Sequence, residues 1–256
     1  MAEVLLKAEH VSKMFGGLKA VSNFDVYLKQ GELIGLIGPN GAGKTTAFNL
    51  FTGVYQPTEG TIVFDGQSIV GLKPYQITQR GIARTFQNIR LFAELSVLDN
   101  VKIACHSHVK YGVLEAVTRL GRYFGEEKQI EAQAMELLRI FKLDGKADEV
   151  AKNLPYGAQR RLEIARALAA KPKLLLLDEP AAGMNPQETH ELMDMIRWIR
   201  DEFGLTILLI EHDMSLVMGI CERIYVLEYG TIIARGTPEE IRQDPEVIRA
   251  YLGGEA

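Results

Sequence analysis

Residues 38–46 read Gly-Pro-Asn-Gly-Ala-Gly-Lys-Thr-Thr, a stretch that fits the phosphate-loop pattern G-x-x-x-x-G-K-[ST]. The apolar run 33–37 before it is typical of a buried strand, and residues 47–52 behind it favour a helix. Glycines let such a loop turn several backbone N–H groups toward one anion, and the helix start adds positive potential. The stretch therefore predicts a nucleotide-phosphate site, against the alternative of a glycine-rich turn that matches by chance.

The pattern gives each part of this loop a task. The Lys44 side chain is expected to reach the β- and γ-phosphates, and the Thr45 hydroxyl is expected to bind Mg²⁺. The loop backbone is predicted to surround the phosphates. The residues predicted to bind the nucleotide here are Gly38, Pro39, Asn40, Gly41, Ala42, Gly43, Lys44, Thr45 and Thr46.

Composition restricts the class of protein. The 256 residues are 47% hydrophobic and 24% charged, which is typical of a globular chain with one large α/β domain or two smaller ones. A formal net charge of −4, without runs of like charge, argues against nucleic acid as the main partner. Two distant cysteines favour a reducing compartment. No apolar run approaches the roughly 20 residues of a membrane span, so a partner is expected to provide any membrane attachment.

Two apolar runs end close to side chains that can act on a phosphate. Residues 174–177 lead into Asp178 and Glu179, and the run 206–210 is followed closely by His212. Ligands of open α/β sheets bind beyond the carboxyl ends of the strands. An aspartate there can hold the Mg²⁺ shell, and the adjacent glutamate can deprotonate a water molecule, whereas a helix N-cap would explain only the first carboxylate. His212 is predicted to contact the γ-phosphate at the same edge.

Hydrophobic periodicity divides the rest of the chain. Residues 4–35 are predicted to form short β-strands, because the apolar residues in 24–28 alternate with polar or exposed neighbours. Phe15 precedes a Gly-Gly turn, where its ring either stacks on a nucleotide base or packs in the core. Residues 88–165 have apolar positions at helical spacing and few strand-like runs, which indicates an inserted helical subdomain. The tail from Thr237 is predicted to form a short amphipathic helix.

Together these motifs resemble the ATPase subunits of ABC transporters. The phosphate loop, Gln87, the segment 154–159, the acidic strand end and His212 occur in the order of that family, over residues 4–251. The resemblance implies an α/β fold: a P-loop (RecA-like) ATPase core with an N-terminal antiparallel β subdomain and an inserted α-helical subdomain. The implied ranges are 4–87 and 166–236 for the core with its β subdomain, 88–165 for the helical subdomain and 237–256 for the tail.

The resemblance also implies roles for single residues. Phe15 matches the aromatic residue that stacks on adenine, and Gln87 matches the glutamine that senses Mg²⁺ and the attacking water. Asp178 matches the Mg²⁺-associated aspartate, Glu179 the catalytic base and His212 the histidine that holds the γ-phosphate. The implied cofactors are ATP and Mg²⁺. The implied metal ligands are Thr45, Gln87 and Asp178.

Partners follow from the same resemblance. In this family two ATPase subunits enclose two ATP molecules, and the signature segment of one subunit covers the nucleotide on the other. The implied partners are therefore a second ATPase subunit, either a copy or a paralogue, two transmembrane permease subunits and, indirectly, a periplasmic binding protein. The implied location is peripheral, on the cytoplasmic side of the inner (plasma) membrane.

The signature segment departs from the family's usual Leu-Ser-Gly-Gly-Gln. It reads Leu-Pro-Tyr-Gly-Ala at 154–158, so Pro155 stands where a serine hydroxyl would meet the partner's ATP. Gly157 is kept at a predicted helix start, whose positive end can still act on the nucleotide. The missing hydrogen bond is expected to cost about 1.5–3 kcal/mol, which predicts a weaker composite site or two unequal ones. Asn185 is a second departure, since the family usually has aspartate there.

These departures and the long segment 105–130 most resemble the larger ATPase subunit of bacterial branched-chain amino-acid importers. Urea-type importers and the lipopolysaccharide export ATPase are near relatives. The hypothesis is an ATP-hydrolysing motor in which closure of an ATPase dimer is coupled to a permease. The alternatives are a soluble ABC ATPase without a permease, which the single cassette and the lack of sustained heptads disfavour, and a nucleotide-dependent scaffold that hydrolyses little ATP.

Overall fold

A computed structural model describes residues 3–109, 111–119 and 121–252 of the chain. It divides into two compact units, Met1–Arg84 with Lys173–Ala256, and Thr85–Pro172. The sequence prediction placed the second boundary between residues 165 and 166. That position falls inside a continuous helix, Tyr156–Ala169, because its apolar face stays buried through Leu168 and Ala169.

The described strands all belong to the first unit and form two sheets. An antiparallel sheet has the order β2-β1-β4-β5, and a six-stranded sheet has the order β10-β9-β3-β8-β7-β6. The strands are β1 (Val4–Phe15), β2 (Leu18–Lys29), β3 (Leu33–Ile37), β4 (Glu59–Phe64), β5 (Gln67–Ser68), β6 (Ile82–Arg84), β7 (Leu174–Asp178), β8 (Thr206–Ile210), β9 (Arg223–Glu228) and β10 (Thr231–Gly236).

The six-stranded sheet positions the site. Strands β6, β7, β8, β3 and β9 are mutually parallel, and only β10 pairs in the antiparallel sense. Every residue of β3, β7 and β8 is buried, as expected for the continuous apolar runs of a parallel sheet. Because parallel strands end at the same edge, the loops after these three strands are neighbours.

Helices occur in both units. The first unit holds α1, α2 and α7–α10, and the second holds α3–α6. The helices are α1 (Lys44–Phe51), α2 (Pro74–Arg80), α3 (Val97–Cys105), α4 (Val113–Thr118), α5 (Tyr123–Ile140), α6 (Tyr156–Ala169), α7 (Pro186–Phe203), α8 (Met214–Ile220), α9 (Pro238–Gln243) and α10 (Pro245–Leu252). Within the described residues, no helix is both long enough and apolar enough to cross a bilayer.

The main core of the first unit joins its two sheets through α1. Phe24, Val26 and Leu28 of β2 are buried, which confirms the strand periodicity read from the sequence. Phe48 and Phe51 of α1 are fully buried in the same core. Burial of each such side chain stabilises the fold by about 1.5–3 kcal/mol. Helix α1 is therefore anchored in the core and holds the end of the loop that precedes it.

The second unit is helical. Helix α3 begins after Ser96, whose hydroxyl accepts a hydrogen bond from the Asp99 amide. Its buried Val101 shares the interior of this unit with Leu138 of α5 and Leu162 of α6. The described residues thus form the predicted α/β fold, with an antiparallel β part and a helical part.

Candidate functional site

The phosphate loop connects β3 to α1, and its glycines are required by its shape. Gly38, Gly41 and Gly43 have φ angles of 151°, 78° and 105°. A Cβ at Gly38 would lie 2.0 Å from the Leu227 carbonyl oxygen, and one at Gly43 would lie 2.6 Å from that of Ala20. Backbone from β2 and β9 therefore leaves no room for a side chain at either position. Gly41 faces open space.

Lys44 is held inside the loop. It is 6% exposed, and its Nζ donates hydrogen bonds to the carbonyl oxygens of Gly38 at 2.7 Å and Pro39 at 3.0 Å. Burial lowers the pKa of Lys44, while Glu179 and Asp178 act in the opposite direction. A phosphate oxygen entering the loop would replace carbonyl contacts with a stronger charge-assisted one.

Asp178 ends β7 and is paired with a residue that sequence reasoning missed. Arg84 Nη2 donates to Asp178 Oδ2 at 2.6 Å, and Arg84 Nη1 donates to Asn49 Oδ1 of α1 at 2.7 Å. Both members of the ion pair are about 6% exposed. Arg84 ends β6, the neighbour of β7 in the sheet. The pairing of β6 with β7 joins two segments that are far apart in the chain. No local pattern in the sequence therefore indicated this ion pair.

Glu179 follows Asp178 in a backbone conformation that non-glycine residues rarely adopt. Its φ is 47°, and its amide donates to the Ile210 carbonyl oxygen at 2.8 Å. Non-glycine residues in this region cost of the order of 1–3 kcal/mol and are concentrated at functional sites. Glu179 Oε1 lies 2.8 Å from His212 Nε2, and the His212 side chain is 44% exposed. The structure therefore brings the predicted base and the predicted phosphate-binding histidine together.

Glu211 connects the loops after β7 and β8, a role that the sequence did not indicate. It is 4% exposed and accepts hydrogen bonds from the amides of Ala181 at 2.7 Å and His212 at 3.0 Å. Burial raises the pKa of Glu211, and the bonds from these amides oppose that rise. The only local signal for Glu211 was its position between an apolar strand and His212. The amide of Ala181, its partner in the loop after β7, could be identified only from the folded structure.

Phe15 lies at the surface and packs against one neighbouring ring. It ends β1, it is 39% exposed, and its ring packs edge-on against Tyr55 with the centroids 5.0 Å apart. Lys13 Nζ lies 5.1 Å from the centroid of the Phe15 ring. The ring is thus supported from one side and open to solvent on another. Adenine stacking stays a prediction.

Gln87 belongs to the second unit, where its backbone is firmly held. Arg160 donates to the carbonyl oxygens of Phe86 at 2.6 Å and Gln87 at 2.8 Å, and to Glu163 Oε2 at 2.8 Å. Arg160 and Glu163 are 0% and 1% exposed. Gln87 itself is exposed. Its predicted contacts with Mg²⁺ and water stay a prediction.

The two departures from the family pattern both lie at helix starts. Pro155 is the N-cap of α6 and provides no side-chain hydrogen bond to the helix. Tyr156 is 45% exposed, and Gly157 is half-buried. Asn185 is the N-cap of α7, where its Oδ1 accepts from the Glu188 amide at 3.0 Å while Glu188 Oε2 accepts from the Asn185 amide. Asn185 therefore has a capping function that needs no charge.

The residues predicted to hold Mg²⁺ fit that ion chemically. Thr45 is the exposed second residue of α1, and Asp178 is a carboxylate at the end of β7. Mg²⁺ takes one or two such oxygen ligands together with substrate phosphates and water. Across the described residues there is no cluster of three or more His, Cys, Asp or Glu side chains suited to hold a metal. The donor set thus fits an ion that arrives with a nucleotide.

Comparisons with known proteins show relatives along almost the whole chain. A family model described as ABC transporter matches residues 21–182, and one described as Branched-chain amino acid ATP-binding cassette transporter matches residues 231–256. The high-affinity branched-chain amino acid transport ATP-binding protein LivG of Escherichia coli (strain K12) is 48% identical over 253 residues, 99% of each chain. The corresponding protein BraF of Pseudomonas aeruginosa is 44% identical with the same coverage.

A solved structure shows the same fold. The ADP conformation of MJ1267, an ATP-binding cassette of an ABC transporter, has a TM-score of 0.84 and 31% identity, covering 98% of this chain and 99% of that one. The chain belongs to the ABC transporter family. It is the nucleotide-binding cassette of that family and an ATPase, which confirms the family resemblance and the enzyme class read from the motifs.

Proposed function

We propose that this chain is the ATP-hydrolysing motor subunit of a membrane importer for branched-chain amino acids. The full-length similarity to LivG and BraF carries the proposal, because it extends beyond the cassette motifs into the C-terminal segment. The family match at residues 231–256 supports the same substrate class. A urea-type importer and a lipopolysaccharide exporter are the alternatives within the family.

In the proposed site the phosphate loop binds ATP. Lys44 exchanges its contacts with Gly38 and Pro39 for phosphate oxygens, and the loop amides donate to the same group. Thr45 and Asp178 would hold Mg²⁺, which when bound supplies positive charge near the phosphates. Phe15 is proposed to stack on the adenine base.

Hydrolysis is assigned to the edge that follows β7 and β8. Glu179 accepts a proton from the attacking water, since its carboxylate is held at this edge by the strained backbone and the bond to Ile210. His212, 2.8 Å from that carboxylate, orients it and contacts the γ-phosphate. Gln87 is proposed to position water and metal and to link the site to the helical second unit, Thr85–Pro172, to which it belongs.

The other subunits of the proposed transporter are separate chains. We propose that a second ATPase subunit, a copy or a paralogue, completes each site with its signature segment, in which Gly157 is the residue retained here. Two transmembrane permeases would receive the motion, and a periplasmic binding protein would deliver the solute. The chain would then work peripherally, at the cytoplasmic side of the inner membrane.

Reconstitution tests this function. The chain is purified from membranes with its permeases and partner ATPase, placed in lipid vesicles, and assayed for ATP-driven uptake of labelled leucine with the binding protein present. We expect leucine uptake that Lys44→Ala abolishes. Uptake of urea instead would favour the related importer, and failure to copurify with any permease would favour a soluble ATPase or a scaffold.

A further inference from the structure

A cavity of about 740 Å³ lies within the first unit between the phosphate loop and the C-terminal helix α10. Its lining includes residues 38–42 of the loop, His212, Arg249 and Tyr251. A cavity of this size suits a small ligand or part of one. The motifs of the family assign no nucleotide contact to α10, yet this helix lies beside the loop that binds phosphate.

Tyr251 of α10 and Gly38 of the loop line the same cavity. Burial raises the pKa of Tyr251, and hydrogen bonding from the Gly38 backbone acts in the opposite direction. Gly38 is also the position where a Cβ would lie 2.0 Å from the Leu227 carbonyl oxygen. The first residue of the loop therefore lies against β9 and shares the cavity with Tyr251.

Arg249 brings positive charge to the same cavity. Its side chain is exposed, and within the described part of the chain its guanidinium has no hydrogen-bond or ion-pair partner. Glu228 also lines the cavity but is not within ion-pair distance of Arg249. Guanidinium groups recognise phosphate with paired hydrogen bonds, so an unpaired arginine facing a phosphate loop has an obvious ligand.

A solvated surface arginine is the simpler interpretation, and the composition of the cavity argues against it. The lining combines Arg249 with residues 38–42 of the phosphate loop and with His212, the residue proposed to contact the γ-phosphate. A guanidinium, an imidazole and a predicted phosphate-binding loop therefore line one space. Of the three phosphates of ATP, the terminal one is the group that His212 is proposed to meet.

We propose that α10 is part of the nucleotide site, with Arg249 binding the terminal phosphate of ATP and Tyr251 acting as a positioning residue for the loop through Gly38. The inference rests on the proposed ATP site at the phosphate loop. ADP lacks the terminal phosphate, so Arg249 distinguishes ATP from ADP. Tyr251 acts on the loop itself, so it affects both nucleotides alike.

Equilibrium binding of fluorescent ATP and ADP, each with Mg²⁺, tests the role of Arg249. The measurements use the full chain carrying Glu179→Gln, which prevents hydrolysis, at protein concentrations low enough that sedimentation in the presence of each nucleotide shows a monomer. Arg249→Gln is expected to weaken ATP binding about tenfold and ADP binding less than about twofold. Arg249→Lys should recover part of the ATP affinity. Arg242→Gln, an exposed arginine in the last turn of α9 and outside the cavity lining, is the matched control.

Tyr251→Phe tests the positioning role. Loss of the phenol oxygen is expected to weaken ATP and ADP binding equally, by about threefold, because both need the ordered loop. Thermal unfolding of each variant separates this effect from loss of fold. A change confined to ATP would contradict the assignment of Tyr251 to the loop.

Lys44→Ala separates the two levels of the proposal. If Lys44→Ala still binds nucleotide, the phosphate-loop site itself is wrong. If Lys44→Ala abolishes binding while Arg249→Gln leaves the preference for ATP over ADP unchanged, the site stands and the inference about α10 is overturned.

Discussion

Each unit of the molecule contains a buried arginine–carboxylate pair behind a segment of the proposed site, and the two pairs differ in what they hold. In the first unit Arg84 pairs with Asp178 at 2.6 Å, and Asp178 is itself a proposed Mg²⁺ ligand. In the second unit Arg160 pairs with Glu163 at 2.8 Å, and neither is a proposed ligand. Arg160 instead binds the carbonyl oxygen of Gln87.

The difference shows how preorganisation is divided between the units. In the first unit the ion pair orients the proposed Mg²⁺ ligand Asp178 directly, beside a strained Glu179 already in contact with His212. In the second unit the ion pair holds the backbone of Gln87, whose side chain is a proposed ligand and is exposed. The second unit also contains Pro155, at the position where this chain lacks the serine of the family pattern. The contacts of the proposed catalytic edge are thus already formed in the single chain, whereas the signature segment of the second unit is proposed to act only on a partner's nucleotide.

The largest expected effect is on the catalytic edge. Glu179→Gln keeps the size of the side chain but removes the base, so we expect hydrolysis to fall about 1,000-fold while ATP binding persists and a closed dimer accumulates. Steady-state ATPase assays and size-exclusion chromatography with ATP measure both effects. Glu191→Gln, an exposed acid on α7, is the control. A normal rate in Glu179→Gln would show that another group is the base.

The two ion pairs can be compared directly. Arg84→Met and Arg160→Met are each expected to lower the free energy of unfolding by about 3 kcal/mol, because each removes the arginine partner of a buried carboxylate. Urea denaturation measures this loss. Similar losses in the two variants would show that the two ion pairs contribute equally to the stability of the fold.

Double variants distinguish the roles of the pairs. Arg84→Met with Asp178→Asn should recover stability without recovering hydrolysis, because the metal ligand is lost. Arg160→Met with Glu163→Gln should recover both in large part. Equal loss of hydrolysis in the two double variants would remove the distinction between a functional pair and a supporting one.

The signature segment should respond in the opposite sense. Pro155→Ser restores the missing hydroxyl, and we expect hydrolysis by the assembled transporter to rise about tenfold. Pro155→Ala is the control, because it removes the ring without adding a donor. An unchanged rate in Pro155→Ser would mean that the departure from the family pattern has no catalytic cost.

The smallest effect concerns the cap of α8, directly after His212. Asp213 Oδ1 accepts hydrogen bonds from the amides of Ser215 at 2.9 Å and Leu216 at 3.3 Å, so Asp213→Ala should cost about 1 kcal/mol at pH 7. The hydrogen bond from the Ser215 side chain is the main reason that the pKa of Asp213 lies below its ordinary value of 3.8.

The sign of the pH dependence follows from that lowered pKa. The contribution of Asp213 is fully present above pH 3.8 and is lost as the pH falls through the lower pKa of the folded state. Chemical denaturation from pH 7 to pH 3 should therefore show the wild type and Asp213→Ala converging. Asp213→Asn keeps a neutral cap, so its advantage over Asp213→Ala should not change with pH.

Local patterns were enough to predict much of this molecule. Strand, glycine loop and helix at 33–52 are contiguous, and so are the strand and acids at 174–179, so each could be read as one segment. Phe24, Val26 and Leu28 were assigned to a strand from alternation alone. Arg84 and Glu211 were missed, because their partners Asp178 and Ala181 are distant in the chain and meet them only through strand order.

The sequence by itself determined the ATPase class, the phosphate loop and the identities of the acids and the histidine, because these depend on residue type at short, fixed spacing. Only the tertiary structure decided which side chains share a cavity or an ion pair. Arg84 reaches Asp178 because β6 pairs with β7, and Tyr251 lines the same cavity as Gly38 because α10 lies beside the loop. Residues some 200 positions apart become neighbours through the order of the strands and the packing of helices on the core, and no local sequence pattern specifies that arrangement.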